Sequence, residues 1–270
     1  MDAVRLGPLV VPVQVALLLA GVMLANVVTA WFHRKDRVDA GPVLWKLILI
    51  GFAVGRLVFV LRHHDIYFNA PLSIIDFRDG GFDEMGGFAA AAIVGIELTR
   101  RSAISRRPIL IAAIVGCLVF FGGGALNAAF TPSGMPVPAL TVRRLDNTTV
   151  PLSVFVGRPL IINLWATWCP PCRREMPILD VAQRAHPEIH FVFVNQGESL
   201  EAVNHYLNTI GLKMQNVVLD PGRQLSARTS SSGYPTTLFY DAKGRLYKRH
   251  VGELSTATLR EVIDALIGSP

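Results

Sequence analysis

Asn163-Leu164-Trp165-Ala166-Thr167-Trp168-Cys169-Pro170-Pro171-Cys172 is the stretch on which the reading of this chain turns. Leu160 to Trp165 is apolar enough for a buried strand, and a helical pattern follows over about 170–185. Cys169 and Cys172 therefore fall at a strand-to-helix junction. Two cysteines three apart in a first helical turn bring their Cα atoms close enough for an unstrained disulfide. Cys169 sits at the helix N-terminus, where the backbone dipole favours thiolate over thiol. Such a thiolate attacks a substrate disulfide, and the second cysteine resolves the mixed disulfide. Pro170 has no N–H, so one potential donor to the Cys169 sulfur is missing.

Outward from this junction the pattern is α/β. Glu188 to Val194 alternates and is rich in β-formers, and Thr236 to Tyr240 and Leu246 to Val251 read as further strands. Asp241-Ala242-Lys243-Gly244 between the last two is a hairpin turn. Helices are expected over about 198–210 and 256–267, the last capped by Ser255. Strands and helices alternating in this way imply a mixed sheet covered on both faces, over residues 140–270.

The dithiol run resembles the active site of thioredoxin-fold proteins. Arg173-Arg174-Glu175-Met176-Pro177 narrows the resemblance to the TlpA/ResA-like group of membrane-tethered thiol–disulfide oxidoreductases. Val194-Asn195-Gln196-Gly197-Glu198-Ser199 resembles that group's third-strand segment. Gly233-Tyr234-Pro235-Thr236-Thr237 occupies the place of its cis-proline loop. The resemblance covers about residues 138–268 and implies a role for each position. Cys169 attacks, Cys172 resolves, and Trp168 belongs to the same catalytic loop. Pro235 shapes the groove for the substrate backbone, lined by Pro170, Pro171, Tyr234 and Thr236. Glu175 is the acid of the site, one helical turn after Cys172, while Asn163 stands where thioredoxin has a buried aspartate. No cofactor beyond the redox-active cysteine pair is implied.

Other roles for these residues remain open. Cys169 and Cys172 could be half of a zinc site, but there is no second Cys-x-x-Cys, and His186, His190, His205 and His250 are scattered. A copper-holding dithiol is a further alternative, as is a disulfide oxidant or isomerase. Glu175 could be an ordinary solvated helix charge, and Pro235 an ordinary trans turn proline.

The first 130 residues differ in kind. The chain of 270 residues is 51% hydrophobic and 17% charged, with a mean hydropathy of +0.41, too apolar for an ordinary water-soluble domain. The excess lies before residue 131. Leu9 to Phe32 is a run of 24 residues without a charge, enough to span a bilayer core of about 30 Å. Val43 to Leu61, interrupted by Lys46 and Arg56, is a second run. Gly86 to Leu98 is a third, short for a span and partly re-entrant in character. Pro108 to Phe130 is a fourth, with Gly122-Gly123-Gly124 allowing a kink. Residues 131–139, rich in Pro and small residues, read as a linker between a membrane domain (1–130) and the thioredoxin-like one. A cleaved signal peptide over the first run is the alternative, Val28-Thr29-Ala30 resembling a cleavage site.

Charge placement gives orientation and excludes one partner. The segments 33–37 and 100–107 hold seven Lys and Arg, against three in the N-terminal tail and residues 62–85. The positive-inside bias puts both cation-rich loops in the cytoplasm, and four spans then leave the C-terminal domain outside it, on a bacterial inner membrane. The formal charge of +6 divides evenly, +3 on each side of residue 130. That is not the basic stripe that selects nucleic acid.

Arg78-Asp79-Gly80-Gly81-Phe82-Asp83-Glu84-Met85-Gly86-Gly87 resembles a stretch of prolipoprotein diacylglyceryl transferase, and Gly55-Arg56 also matches. Met85 stands in place of that family's functional histidine, and a thioether exchanges no proton. The resemblance, limited to about residues 43–98, therefore implies a degenerate membrane segment, with residual lipid transfer as the lesser alternative. Arg56, inside a span, needs a partner: an acidic residue such as Glu97 or Asp79, or an anionic lipid or quinone. Cys117 is alone in the membrane half and reads as a packing residue. The resemblance implies exported protein disulfides as substrates and a DsbD- or CcdA-type transmembrane reductase as electron donor.

Overall fold

The computed structural model describes residues 3–6, 9–69, 74–75, 80–101, 106–130, 134–212, 214–231 and 233–268. The chain divides into two compact units, Val13–Phe130, and Thr131–Pro270 together with Met1–Pro12. A short antiparallel hairpin, β1 (Ala3–Leu6) with β2 (Leu9–Pro12), precedes the first helix. The first apolar run thus starts as a strand, and its helix is displaced four residues C-terminally.

The helical unit holds α1 (Val13–Asp36), α2 (Gly41–Arg62), α3 (His64–Asn69), α4 (Glu84–Arg101), α5 (Arg106–Cys117) and α6 (Gly123–Phe130). A π-helical turn, Leu118–Gly122, joins the last two into one continuous rod. α1, α2 and this rod are long and apolar enough to cross a membrane. α4 has 18 residues, including Glu84, Glu97, Arg100 and Arg101. It extends over about 27 Å, just short of a bilayer core.

Glycine sets the closeness of the pairs. A Cβ on Gly87 of α4 would lie 2.7 Å from the Gly51 carbonyl oxygen of α2. One on Gly21 of α1 would lie 3.1 Å from the Gly116 oxygen of α5. The helices meet backbone to backbone, as small residues permit in hydrocarbon. Leu19, Met23, Leu49, Leu57, Ile93 and Leu110 face outward. Asp83 caps α4, its Oδ1 accepting the Gly86 N–H at 2.7 Å, and pairs with Arg62 at 2.9 Å. Arg56 donates to the carbonyls of Ile74 (3.0 Å) and Gly81 (2.7 Å). The rings of Phe59, Tyr67 and Phe82 surround its guanidinium. Backbone carbonyls and aromatic faces thus meet it among the described residues; Arg78 and Asp79, the latter one of the acidic partners expected for Arg56, lie outside them.

The C-terminal unit is a seven-stranded mixed sheet in the order β4-β3-β7-β6-β5-β8-β9. Its strands are β3 (Thr141–Arg144), β4 (Thr149–Pro151), β5 (Leu160–Trp165), β6 (His190–Gln196), β7 (Val217–Asp220), β8 (Thr236–Tyr240) and β9 (Leu246–Val251). β5, β6 and β7 run parallel, β8 pairs antiparallel with β5, and β9 pairs antiparallel with β8. Helices α7 (Pro170–Ala185), α8 (Leu200–Ile210), α9 (Gln224–Arg228) and α10 (Thr256–Gly268) follow in sequence. This is the expected mixed sheet.

Strand alternation decides what each face carries. On β5, Leu160, Ile162 and Leu164 enter one apolar layer, while Ile161 and Trp165 enter the other, with Met176, Leu179, Leu259 and Ile263 of α7 and α10. Asn163 shares the second face, a polar group set into the layer beneath the dithiol. Of the two edge strands, β4 has three residues and ends in Pro151, and β9 carries Lys248, Arg249 and His250.

Candidate active site

Cys169 is the N-cap of α7, with extended backbone, and Pro170 and Pro171 form its first positions. Proline suits that place, because the first helical N–H groups have no intrahelical acceptor and the ring presets φ. The Cys172 N–H donates to Cys169 Sγ at 3.3 Å. The sulfur thus receives a backbone donor and the positive end of the helix, both of which favour its anionic form. Cys169 and Cys172 are joined as a disulfide with Cα atoms 5.3 Å apart. Cys172 is fully buried and Cys169 is 3% exposed, whereas Trp168 beside them is 60% exposed.

The loop before the dithiol is held from outside its own helix. Glu198, just after β6, accepts the Thr167 N–H on Oε2 at 2.7 Å and the Thr167 hydroxyl on Oε1. Asn195 Nδ2 donates to the same Oε2 at 2.6 Å. Local sequence has no signal for this contact between residues 31 apart.

The Tyr234–Pro235 peptide is cis, and Tyr234 meets Trp168 edge to face, with ring centroids 6.1 Å apart. The Tyr234 hydroxyl lies 3.2 Å from Ser226 Oγ, which donates to Gln196 Oε1 at 2.7 Å. Gln196 in turn donates to Asp220 at 3.2 Å. Pro170 is exposed and Pro171 half-buried on the same loop as Trp168. Thr236 differs from its groove companions: it is buried, its hydroxyl donating back to the Gly233 carbonyl at 2.7 Å.

Glu175 lies beneath the dithiol on the buried face of α7 and is fully buried. Its Oε1 accepts from Asn163 Nδ2 at 2.8 Å and its Oε2 from the Leu254 N–H at 3.1 Å. Asn163 Nδ2 also donates to Thr237 at 3.0 Å. Loss of hydration raises the Glu175 pKa to about 8; the two donors oppose the shift and the nearby Glu253 charge adds to it. The carboxyl therefore holds its proton up to about pH 8. Arg174 and Glu253 form an ion pair over this spot. His250 on β9 has its pKa lowered, chiefly by burial.

Comparison with known proteins agrees with this arrangement. The profile of the family described as Redoxin matches residues 132–266, and that of prolipoprotein diacylglyceryl transferase matches residues 2–126. The thiol:disulfide interchange protein DsbE of Tatumella citrea is 30% identical over 136 residues, 49% of this chain and 72% of that protein. The thiol-disulfide oxidoreductase ResA of Bacillus subtilis (strain 168) is 28% identical over 135 residues, 49% of this chain and 75% of its own length. The thioredoxin-like protein YneN of the same organism is 27% identical over 135 residues, 48% of this chain and 78% of YneN. With a dithiol at the head of α7 and a match across residues 132–266, the chain belongs to the Redoxin family, as a protein-disulfide oxidoreductase of the DsbE and ResA type fused to a membrane segment related to prolipoprotein diacylglyceryl transferase.

Proposed function

We propose that this protein reduces disulfides of selected exported proteins, from a thioredoxin-like domain held on the extracytoplasmic face of the inner membrane. The observation that carries the reading is the Cys172 N–H on Cys169 Sγ at the N-terminus of α7. In the reduced protein that donor favours the Cys169 thiolate. The thiolate attacks one sulfur of the substrate disulfide, a mixed disulfide forms, and the other substrate sulfur leaves as a thiolate that takes up a proton. The buried Cys172 thiol gives its proton to the Glu175 carboxylate and attacks Cys169 Sγ. The second substrate thiolate leaves and is protonated in turn. Two electrons pass to the substrate, and Cys169–Cys172 is left oxidised. Trp168, Tyr234 and Pro235 line the groove where the substrate chain lies. The excess of Lys and Arg in segments 33–37 and 100–107 over the N-terminal tail and residues 62–85 supports the extracytoplasmic placement, with α4 taken as the fourth crossing.

The oxidised dithiol must then be reduced again in an oxidising compartment. A cysteine relay across the bilayer needs a pair, and this chain has three cysteines, of which Cys117 alone lies in the membrane half. The electrons therefore come from a separate membrane protein of the DsbD or CcdA type.

Trapping the thiols with an alkylating agent in intact host cells tests this. A reductase shows Cys169 and Cys172 mainly reduced, and oxidised once the donor is deleted. A dithiol that is oxidised in wild-type cells, whatever donor is removed, makes the protein an oxidant or isomerase instead. Stoichiometric Cu(I) on the reduced protein, with no insulin reduction, makes it a copper-holding module.

A further inference from the structure

Three consecutive residues of the turn between β9 and α10 make three separate attachments around the site. The Gly252 N–H donates to the Pro235 carbonyl at 3.0 Å. Glu253 accepts a fork from Arg174, whose Nε lies 3.0 Å from Oε1 and 2.9 Å from Oε2, with Nη2 on Oε2 as well. The Leu254 N–H donates to Glu175 Oε2 at 3.1 Å. Arg174 directly precedes Glu175, and Glu253 directly precedes Leu254, so the surface ion pair and the buried hydrogen bond are adjacent rungs between the same two segments. The fork geometry is the strong, directional kind of carboxylate contact. His250 Nε2 lies 3.3 Å from the Glu253 carbonyl and steadies the turn from β9.

We propose that the Arg174–Glu253 ion pair is a positioning element for the redox reaction: it clamps the 252–254 turn onto α7, keeps the Leu254 amide on the Glu175 carboxylate, and thereby sets the pH at which Glu175 takes the Cys172 proton. The inference rests on the reading of Glu175 as proton acceptor. The groups facing Glu175 decide the sign. β5 and β8 present the uncharged Asn163 and Thr237. β9 presents His250, kept neutral by burial. α7 contributes Cys172 and Arg174, and the turn contributes Glu253. Without Arg174 the turn loosens, and a donor that favours the charged carboxylate is lost. The Glu253 charge also stands unneutralised near Glu175. Both effects make Glu175 a carboxylate only at higher pH. Without the Glu253 charge the two effects oppose, and the change is smaller.

The test uses the full chain in detergent micelles, in a Cys117→Ala background, reduced and mixed with Ellman's reagent in a stopped-flow instrument. The first release of thionitrobenzoate marks the mixed disulfide on Cys169; the second marks attack by Cys172. The rate of the second phase rises with pH through the Glu175 titration. Arg174→Gln moves that midpoint to higher pH by about one unit, Arg174→Lys moves it less, and Glu253→Gln moves it less than Arg174→Gln. Glu175→Gln abolishes the step in the profile. An Arg174→Gln variant that melts at lower temperature but keeps the wild-type midpoint overturns the positioning role and leaves a merely structural ion pair. A profile that persists in Glu175→Gln overturns the reading of Glu175, and this inference with it.

Discussion

The Glu198 carboxylate and the Thr167 backbone N–H, 2.7 Å apart, tie the β6–α8 connection to the loop that presents the dithiol. Thr167 lies two residues before Cys169, so the position of the attacking sulfur depends on a side chain from another part of the sheet. Glu198→Ala removes both acceptor oxygens from the Thr167 N–H, the Thr167 hydroxyl and the Asn195 amide. That leaves partly buried donors unpaired, at a cost of about 1–3 kcal/mol each. The expected outcome is a lower melting temperature and slower insulin reduction, measured on the full chain in detergent.

Burial of Glu175 gives stability a defined pH dependence. Its pKa is 4.5 when exposed and about 8 in the fold. Between those values the folded protein holds a proton that the unfolded chain has released. The stabilising contribution is therefore complete below the lower value and is lost as pH rises toward the upper one, at up to about 1.4 kcal/mol per pH unit. Glu175→Gln removes this slope. Melting temperatures of wild type and variant, compared across that window, should diverge with rising pH, the variant becoming relatively more stable.

The two thiols differ in consequence. Cys172→Ser leaves Cys169 able to attack but nothing to resolve the product, so dithiothreitol-sensitive adducts with other proteins accumulate. Cys169→Ser gives none and abolishes reduction. Adducts in the second variant instead of the first would reverse the assignment of roles.

Cys117→Ala should leave the cellular redox state of Cys169 and Cys172 unchanged, whereas deletion of the transmembrane donor should oxidise them. Alkylation followed by gel electrophoresis reads both. Oxidation in the Cys117→Ala strain alone would place the relay in this chain.

Gly87 and Gly51 cross with no room for a side chain, since a Cβ on Gly87 would meet the Gly51 oxygen at 2.7 Å. Gly87→Ala must push α2 and α4 apart, at a cost of about 1–3 kcal/mol as an overpacked contact. The melt of the helical unit, followed by circular dichroism in micelles, should fall, while the Cys169–Cys172 disulfide still forms. An unchanged melt would mean that the helices do not meet at these glycines.

What could be read from sequence was what is local. The continuous apolar run of β5, the Asp241–Gly244 turn and the cysteine spacing are written in adjacent residues, and β5, α7, β8, β9 and α10 stand within a residue of where the pattern puts them. β3, β4 and β7 have three or four residues each, too short for periodicity to register. β6 starts two residues later than its alternation suggests. In the site, Cys169, Cys172 and Pro235 carry motif signals. Glu198 and the Arg174–Glu253 fork carry none, because their partners are 31 and 79 residues away and only the folded sheet brings them together. Likewise, the aromatic rings and backbone carbonyls that meet Arg56 leave no local signal in the sequence.

The edges of the sheet bear on the company this protein keeps. A polypeptide whose disulfides are still unsettled offers unpaired strands, and a long, flat sheet edge would take them up as extra members of its ladder. Here one edge is the three-residue β4, stopped at Pro151, and the other bears Lys248, Arg249 and His250 in succession. Neither is a good template for aggregation, so the domain can handle such chains repeatedly through its loops without being drawn into their misassembly.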